Sequence, residues 1–443
     1  MKSIFILAPV IVITGFYSLS GAAQEVNETG KLSSVITIEQ AIIQTLRHNS
    51  DLQSFSRNID LAEENIDLAK SNYRPDVSIT GDVSHSRSDE SIIPGQDRNI
   101  TAKSAGLNIR QPLYRGGQTV AEIKEQRQLK KATQSEWDNL AQNMIIEVVE
   151  TYMAAYRATE AVRVNQDNAK LLAEEFKATQ ARFEAGELTK TDTSQANARV
   201  AEAQALVAQS QSAYETATAR LAELTGVASS VEPVYPDIGE EKLPPSLNDA
   251  LAKGLDNSPA VIAAKQQVLA EFYNVEQQKG AFMPQLSAGA TAGYEDNPSG
   301  FGQSQSRQSA TVSLNATIPV YQSGVLRNRV KQAKILKDQA HDDLESAERA
   351  VARAIISAWE DYHTTSLQIS ARESQLEAST IAYEGVHLEE EVGARSVLDV
   401  LDANQDVLDA RLALIEAKTD KVNAYYRLMG AIGLLKESFW DNS

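Results

Sequence analysis

The chain says the same thing twice. Gln111-Pro112-Leu113-Tyr114-Arg115-Gly116-Gly117 returns as Ile318-Pro319-Val320-Tyr321-Gln322-Ser323-Gly324, 207 positions later. At that offset Gly186 falls on Gly393, Asp192 on Asp399, Ala196-Asn197 on Ala403-Asn404 and Gly226 on Gly433, with no gap. Upstream, Ala41 pairs with Ala250 and Pro75 with Pro284, both 209 apart. A repeat of about 200 residues is too long for a solenoid unit. It builds two similar halves, which suit a closed symmetric assembly.

Each half first shows strict alternation. Val77, Ile79, Gly81 and Val83 alternate with Ser78, Thr80, Asp82 and Ser84. The returning strand sets Ala105, Leu107, Ile109 and Leu113 against Ser104, Asn108 and Arg110. The second half repeats this with Leu286 to Tyr294 and then Ala310 to Val320. Period two gives one apolar and one polar face. Hairpins are expected over 76–114 and 285–321, joined by polar loops Asp89–Asn99 and Asn297–Gln308. Strands of about ten residues, apolar outside and polar inside, mark a transmembrane β-barrel, although an ordinary half-buried antiparallel sheet shows the same alternation. Four strands cannot enclose water, because about eight are only just wide enough for side chains. Several chains must therefore share one barrel.

A long helical pattern follows each hairpin, over 117–225 and 324–430. From Gln118 to Glu184 there is neither Pro nor Gly, and Ile145, Val148, Val149, Tyr152, Ala155 and Tyr156 form one apolar stripe. The pattern breaks at Gly186 and again at Gly393, where glycine suits a left-handed cap. Some 65 helical residues span roughly 100 Å. Such lengths without caps indicate a coiled coil, a transmembrane helix or a helical repeat. The density of charge excludes a membrane helix.

Composition bounds the remainder. Lys2, an apolar run and Ser20-Gly21-Ala22-Ala23 read as a secretory signal peptide over 1–23. Beyond it lie 41 basic and 60 acidic residues, net −19, which argues against nucleic acid. No cysteine is present, so disulfides, thiolate metal sites and N-terminal lipidation are excluded. A leader, barrel strands and no membrane helix place the chain across a Gram-negative outer membrane.

The chain resembles the TolC family of outer-membrane channels for type I secretion and drug efflux. The resemblance rests on Gln111–Gly117, on Ala181-Arg182-Phe183-Glu184-Ala185-Gly186 leading to Asp192, and on Val392-Gly393-Ala394-Arg395-Ser396-Val397-Leu398-Asp399-Val400-Leu401-Asp402-Ala403. It implies a mixed fold of long antiparallel helices plus β-strands. Three identical chains would each give four strands to a twelve-stranded outer-membrane barrel and their helices to a periplasmic α-barrel. The Gly186 and Gly393 turns would form the periplasmic tip and meet a membrane-fusion adaptor. An inner-membrane ABC or proton-driven transporter would supply energy, so the chain would be no enzyme and hold no cofactor. The motif form looks most like the type I secretion branch. Residues 24–226 would form the first repeat, 227–245 the linker, 246–433 the second repeat and 434–443 a tail, with linker and tail in an equatorial belt.

The same resemblance assigns roles at the tip. Asp399 and Asp402, spaced i, i+3 on one helix face, would form stacked acidic rings at the entrance. Like charges so close attract cations and repel each other. Arg395 and Asp192 would latch the closed state. A family tyrosine of that latch is replaced by Glu390. His387 with Glu390 and Glu391 has metal-like spacing, but reads as a solvated charged face. No nucleophile or phosphate-loop motif occurs. The expected function is an exit duct; a stand-alone porin and a periplasmic coiled-coil scaffold are the rivals.

Overall fold

A computed structural model describes residues 34–88, 98–226, 231–239, 243–298 and 304–435. The expected leader, most of loop 89–99 and tail residues 436–443 lie outside them.

Element boundaries repeat as the motifs do. Helices α1 (Ile38–His48) and α2 (Ser50–Ser71) return 209 positions later as α5 (Leu247–Asn257) and α6 (Pro259–Gly280). Helices α3 (Gln118–Glu184) and α4 (Lys190–Thr225) return 207 positions later as α7 (Val325–Glu391) and α8 (Val397–Ile432). The local reasons are in the sequence. Thr37 and Gln40 close a capping box on α1, and the Asn49 side chain accepts from Asp51 and Leu52 to start α2. Pro259 opens α6, where its missing N–H leaves no bond unmade.

Strands β2 (Asp76–Ser88), β3 (Arg98–Arg115), β5 (Gln285–Pro298) and β6 (Ser304–Thr317) form one antiparallel sheet in the order β2-β3-β5-β6. The two hairpins thus join edge to edge. The register sorts the side chains into rows. Val77, Ile109, Ala290 and Val312 lie in one row, and Ile79, Leu107, Ala292 and Ala310 in another. Between them runs Ser78, Asn108, Thr291 and Thr311. Ile79 is 83% exposed and Val312 86%, so among the described residues nothing covers the apolar face there. A register shift between Pro112 and Tyr114 lets a proline sit in β3 at a bulge, where a ladder bond is missing anyway. Strands β2 and β6 leave two open edges.

Two expected boundaries need correction. The second hairpin was expected to run to 321, but β6 ends at Thr317, so Ile318 and Val320 follow the strand. Pro319 has no N–H to donate, and β6 has no second neighbour to hold its end. Loop Asn297–Gln308 is also too wide: Asn297 and Pro298 pair with Gln305 and Ser304 in the ladder.

The helices build the body. α3 packs against α4 and α7 against α8, while α6 lies between α3 and α7. α2 packs against α3. The apolar stripe read from the sequence is the core: Ile145, Val148, Val149, Tyr152 and Ala155 are fully buried, packed against Ile38, Ile42, Val422 and Leu428. Across this core, β1 (Ser34–Ile36) pairs in parallel with β4 (Val231–Pro233). The Tyr152 hydroxyl pins both strands. It lies 2.7 Å from the Val234 carbonyl and 2.9 Å from that of Ile36, and accepts from the Val234 N–H at 2.8 Å. Burial pushes its ionisation up to about 12, so it stays a neutral donor. Trp137 and Trp359 pack against buried helix residues, and the Trp137 indole N–H donates to the Leu52 carbonyl at 3.2 Å. No described helix is long and apolar enough to cross a membrane.

Candidate functional site at the helical tip

The two long hairpins end in the same turn. α3 closes with Gly186 at φ 82° and α7 with Gly393 at φ 78°. In the first, the Glu187 N–H donates to the Arg182 carbonyl at 3.0 Å and the Gly186 N–H to that of Phe183 at 2.9 Å. In the second, Ala394 donates to Glu389 and Gly393 to Glu390, both at 2.8 Å. This paired closure satisfies the helix-end carbonyls and needs the left-handed residue that glycine supplies.

The returning helices begin with capping boxes. The Asp192 carboxylate accepts from the Thr189 N–H (2.9 Å) and hydroxyl (2.7 Å), and its own N–H donates back to that hydroxyl. Ser396 and Asp399 repeat this at 2.9 and 2.8 Å. Both carboxyls are therefore held below the ordinary range, Asp192 first by the Thr189 hydroxyl and Asp399 first by the Ser396 N–H. Negative charge at a helix start is also favoured by the helix dipole.

At the tip, two ion pairs tie the hairpins together, and sequence reading did not find them. Arg182 near the end of α3 meets Glu390 at the end of α7 at 2.7 Å. Arg199 on α4 meets Asp402 on α8 at 2.7 Å. Asn404 donates to Asn168 at 2.7 Å, between α8 and α3. Beneath them Leu172, Ala196, Ala203, Val397 and Leu401 form a small core. Arg182 lies in the quoted motif four residues before Gly186, so opposite charge near matched ends of the two hairpins was a usable signal.

The expected site residues share this tip but do not all meet. Asp192 and Arg395 do not pair within the chain; Arg395 bonds Glu389 across the Gly393 turn at 2.9 Å. Asp399 and Asp402 differ in environment, one in a helix cap and one on Arg199. The expectation that Glu390 sits on a solvated face is wrong. It is 7% exposed, and Arg182 of α3 compensates its charge. His387 stacks on Tyr383 and lies 3.9 Å from Glu391.

Known proteins share the duplicated sequence and the fold. The family model described as outer membrane efflux protein matches residues 41–227 and again 250–434, one match per repeat. The chain is 28% identical to outer membrane efflux protein BepC of Brucella suis biovar 1, over 91% of this chain and 87% of that protein. It is 24% identical to alkaline protease secretion protein AprF of Pseudomonas aeruginosa, over 77% and 72%. Among solved structures, CusC superposes with a TM-score of 0.78 at 18% identity, covering 89% of this chain and 92% of that one, and so shares the fold. Members of the family are trimeric channels that work with periplasmic adaptors and inner-membrane transporters. Together these matches favour the exit duct over a stand-alone porin or a scaffold. The chain belongs to the outer membrane efflux protein family: it is a channel protein of the Gram-negative outer membrane that extends into the periplasm, and it is not an enzyme.

Proposed function

We propose that the tip carrying Gly186 and Gly393 is the gate of this duct and its contact with the periplasmic adaptor. The duct passes cargo from an inner-membrane ABC or proton-driven transporter, in type I secretion or multidrug efflux. The observation that carries the gate reading is the concentration of charged residues at the two matched turns. Within each chain the hairpins are tied at this tip by Arg182–Glu390 and Arg199–Asp402. Both cap bonds to Asp192 use Oδ2, and no hydrogen bond to Oδ1 is made among the described residues. That oxygen can take Arg395 of a neighbouring copy. Such a wet link is weak and weakens further with salt, so an engaging partner can break it. Around a threefold axis Asp399 supplies a ring of carboxylates, with Asp402 beside it drawn toward Arg199.

Planar-bilayer recording of the purified channel tests this. Arg395→Ser should raise single-channel conductance. Asp399→Asn with Asp402→Asn keeps acceptors at both positions and should lower cation preference and block by multivalent cations. Wild-type conductance, selectivity and block in both variants would move the gate elsewhere.

A further inference from the structure

The chain contains a template for its own assembly. β3 and α3 of the first repeat are seated against β5 and α6 of the second. The same elements recur as β6 and α7 on one flank and β2 and α2 on the other. Each of these flanks lacks the neighbour that its counterpart has. Continuity of one repeat with the next requires a second copy of this chain on each flank. Resting on the trimeric duct proposed above, we infer that the seam between copies repeats the strand register and helix order of the internal junction, apart from one corner.

The internal register then fixes the seam. Leu107 faces Ala292 and Gln111 faces Ala288 inside the chain. Shifted by the two offsets, Leu314 faces Val83 of the next copy and Ile318 faces Ile79 of the next copy. Every matched pair lies on the same face: Leu314 with Val83 on the apolar side, Ser313 with Ser84 on the polar side. A slip of one residue would place the apolar row of β6 against the polar row of β2. Residues 318–322, which are not strand in the single chain, correspond to the end of β3. They complete β6 only when β2 of the next copy supplies their partners, with Val320 as the bulge that Leu113 provides inside.

The helices agree. Ala270 on α6, the helix seated between α3 and α7, is 1% exposed, whereas its counterpart Leu61 on α2 is 60% exposed. An apolar residue left open at a position buried in the sister repeat is the mark of a missing neighbour. Inside the chain Lys124 sits over the Tyr273 ring, 5.5 Å from its centre. The counterparts are Lys331 and Glu64, so the same geometry places a cation beside a carboxylate at the seam. One corner cannot be copied. Gly116 and Gly280 approach so closely that a Cβ on Gly116 would lie 2.1 Å from the Gly280 carbonyl. Their counterparts are Ser323 and Ser71, whose side chains hold the seam wider at that corner.

The chain has no cysteine, so introduced pairs read the register directly. Leu314→Cys with Val83→Cys cannot close within one chain, because β6 and β2 are opposite edges of the sheet. After oxidation in isolated outer membranes it should give covalent trimers, at least tenfold more than Leu314→Cys with Gly81→Cys or with His85→Cys. Ile318→Cys with Ile79→Cys repeats the test at the stretch that orders on assembly. Stronger linkage in a shifted pair overturns the register. So does no linkage in either matched pair while an amine cross-linker still captures trimers. Failure of the amine cross-linker on the wild-type protein would instead remove the trimer beneath it.

Discussion

At the scale of the residue, equivalent positions in the two repeats face different constraints. Gly116 and Ser323 both turn a strand into a long helix at positive φ, 66° and 50°. Only Gly116 is pressed against another backbone. Gly116→Ser should therefore cost roughly 2–4 kcal/mol, seen as a lower melting temperature in detergent. Ser323→Gly should be nearly neutral, since relief of about 1 kcal/mol of left-handed strain offsets the added freedom of the unfolded chain. Glu125 offers a pH test. Burial, then the neighbouring carboxylates of Glu271 and Glu122, push its ionisation from 4.5 up to about 7. An acid with a raised folded pKa stabilises least where it must ionise. Between pH 4.5 and 7 the unfolded chain loses this proton before the folded one does, so stability falls across that window and stays lower above it. Glu125→Gln should gain roughly 1 kcal/mol at pH 8, after allowance for the remaining solvent, and almost nothing at pH 4.5. An equal gain at both pH values would mean that ionisation is not the cause.

At the scale of the element, the two faces of the sheet make opposite demands. Arg in place of Ile79, Leu107 or Leu314 puts a charge on the apolar face and should cost roughly 2–4 kcal/mol near mid-membrane, with impaired insertion. Arg in place of Ser78, Asn108 or Ser313 should be tolerated, as read by the heat-resistant assembled fraction on a gel. Equal damage on both faces would mean that protein, not lipid, covers the apolar rows. Much of this was legible beforehand. Period two gave the strands, and the Pro-free runs ending at Gly186 and Gly393 gave the helices to within a residue or two. Those signals are local, each set by a few neighbours in the chain. The end of β6 was not legible, because alternation continues through Ile318 and Val320 while ladder bonding depends on a neighbour. Nor were Arg182–Glu390 and Arg199–Asp402, since which charges meet depends on how two hairpins pack. His387, Glu390 and Glu391 looked alike in sequence, and burial beside Arg182 of α3 is what sets Glu390 apart.

At the scale of the whole molecule, a single chain is an incomplete object. Its sheet has two open edges, and its apolar rows are bare. Open strand edges cannot persist in lipid, where every unpaired backbone group costs several kcal/mol. Closure by three copies pairs every edge and makes a twelve-stranded wall wide enough for an aqueous lumen. The repeated helices continue that wall toward the periplasm, and the two capped turns of each chain give a trimer six such turns at the tip. The most direct measurement is the native mass of the species that conducts in a bilayer, taken on protein extracted from outer membranes in detergent. The expected result is three copies of the mature chain and no conductance from smaller species. A stable monomer that forms ion-conducting channels would contradict it.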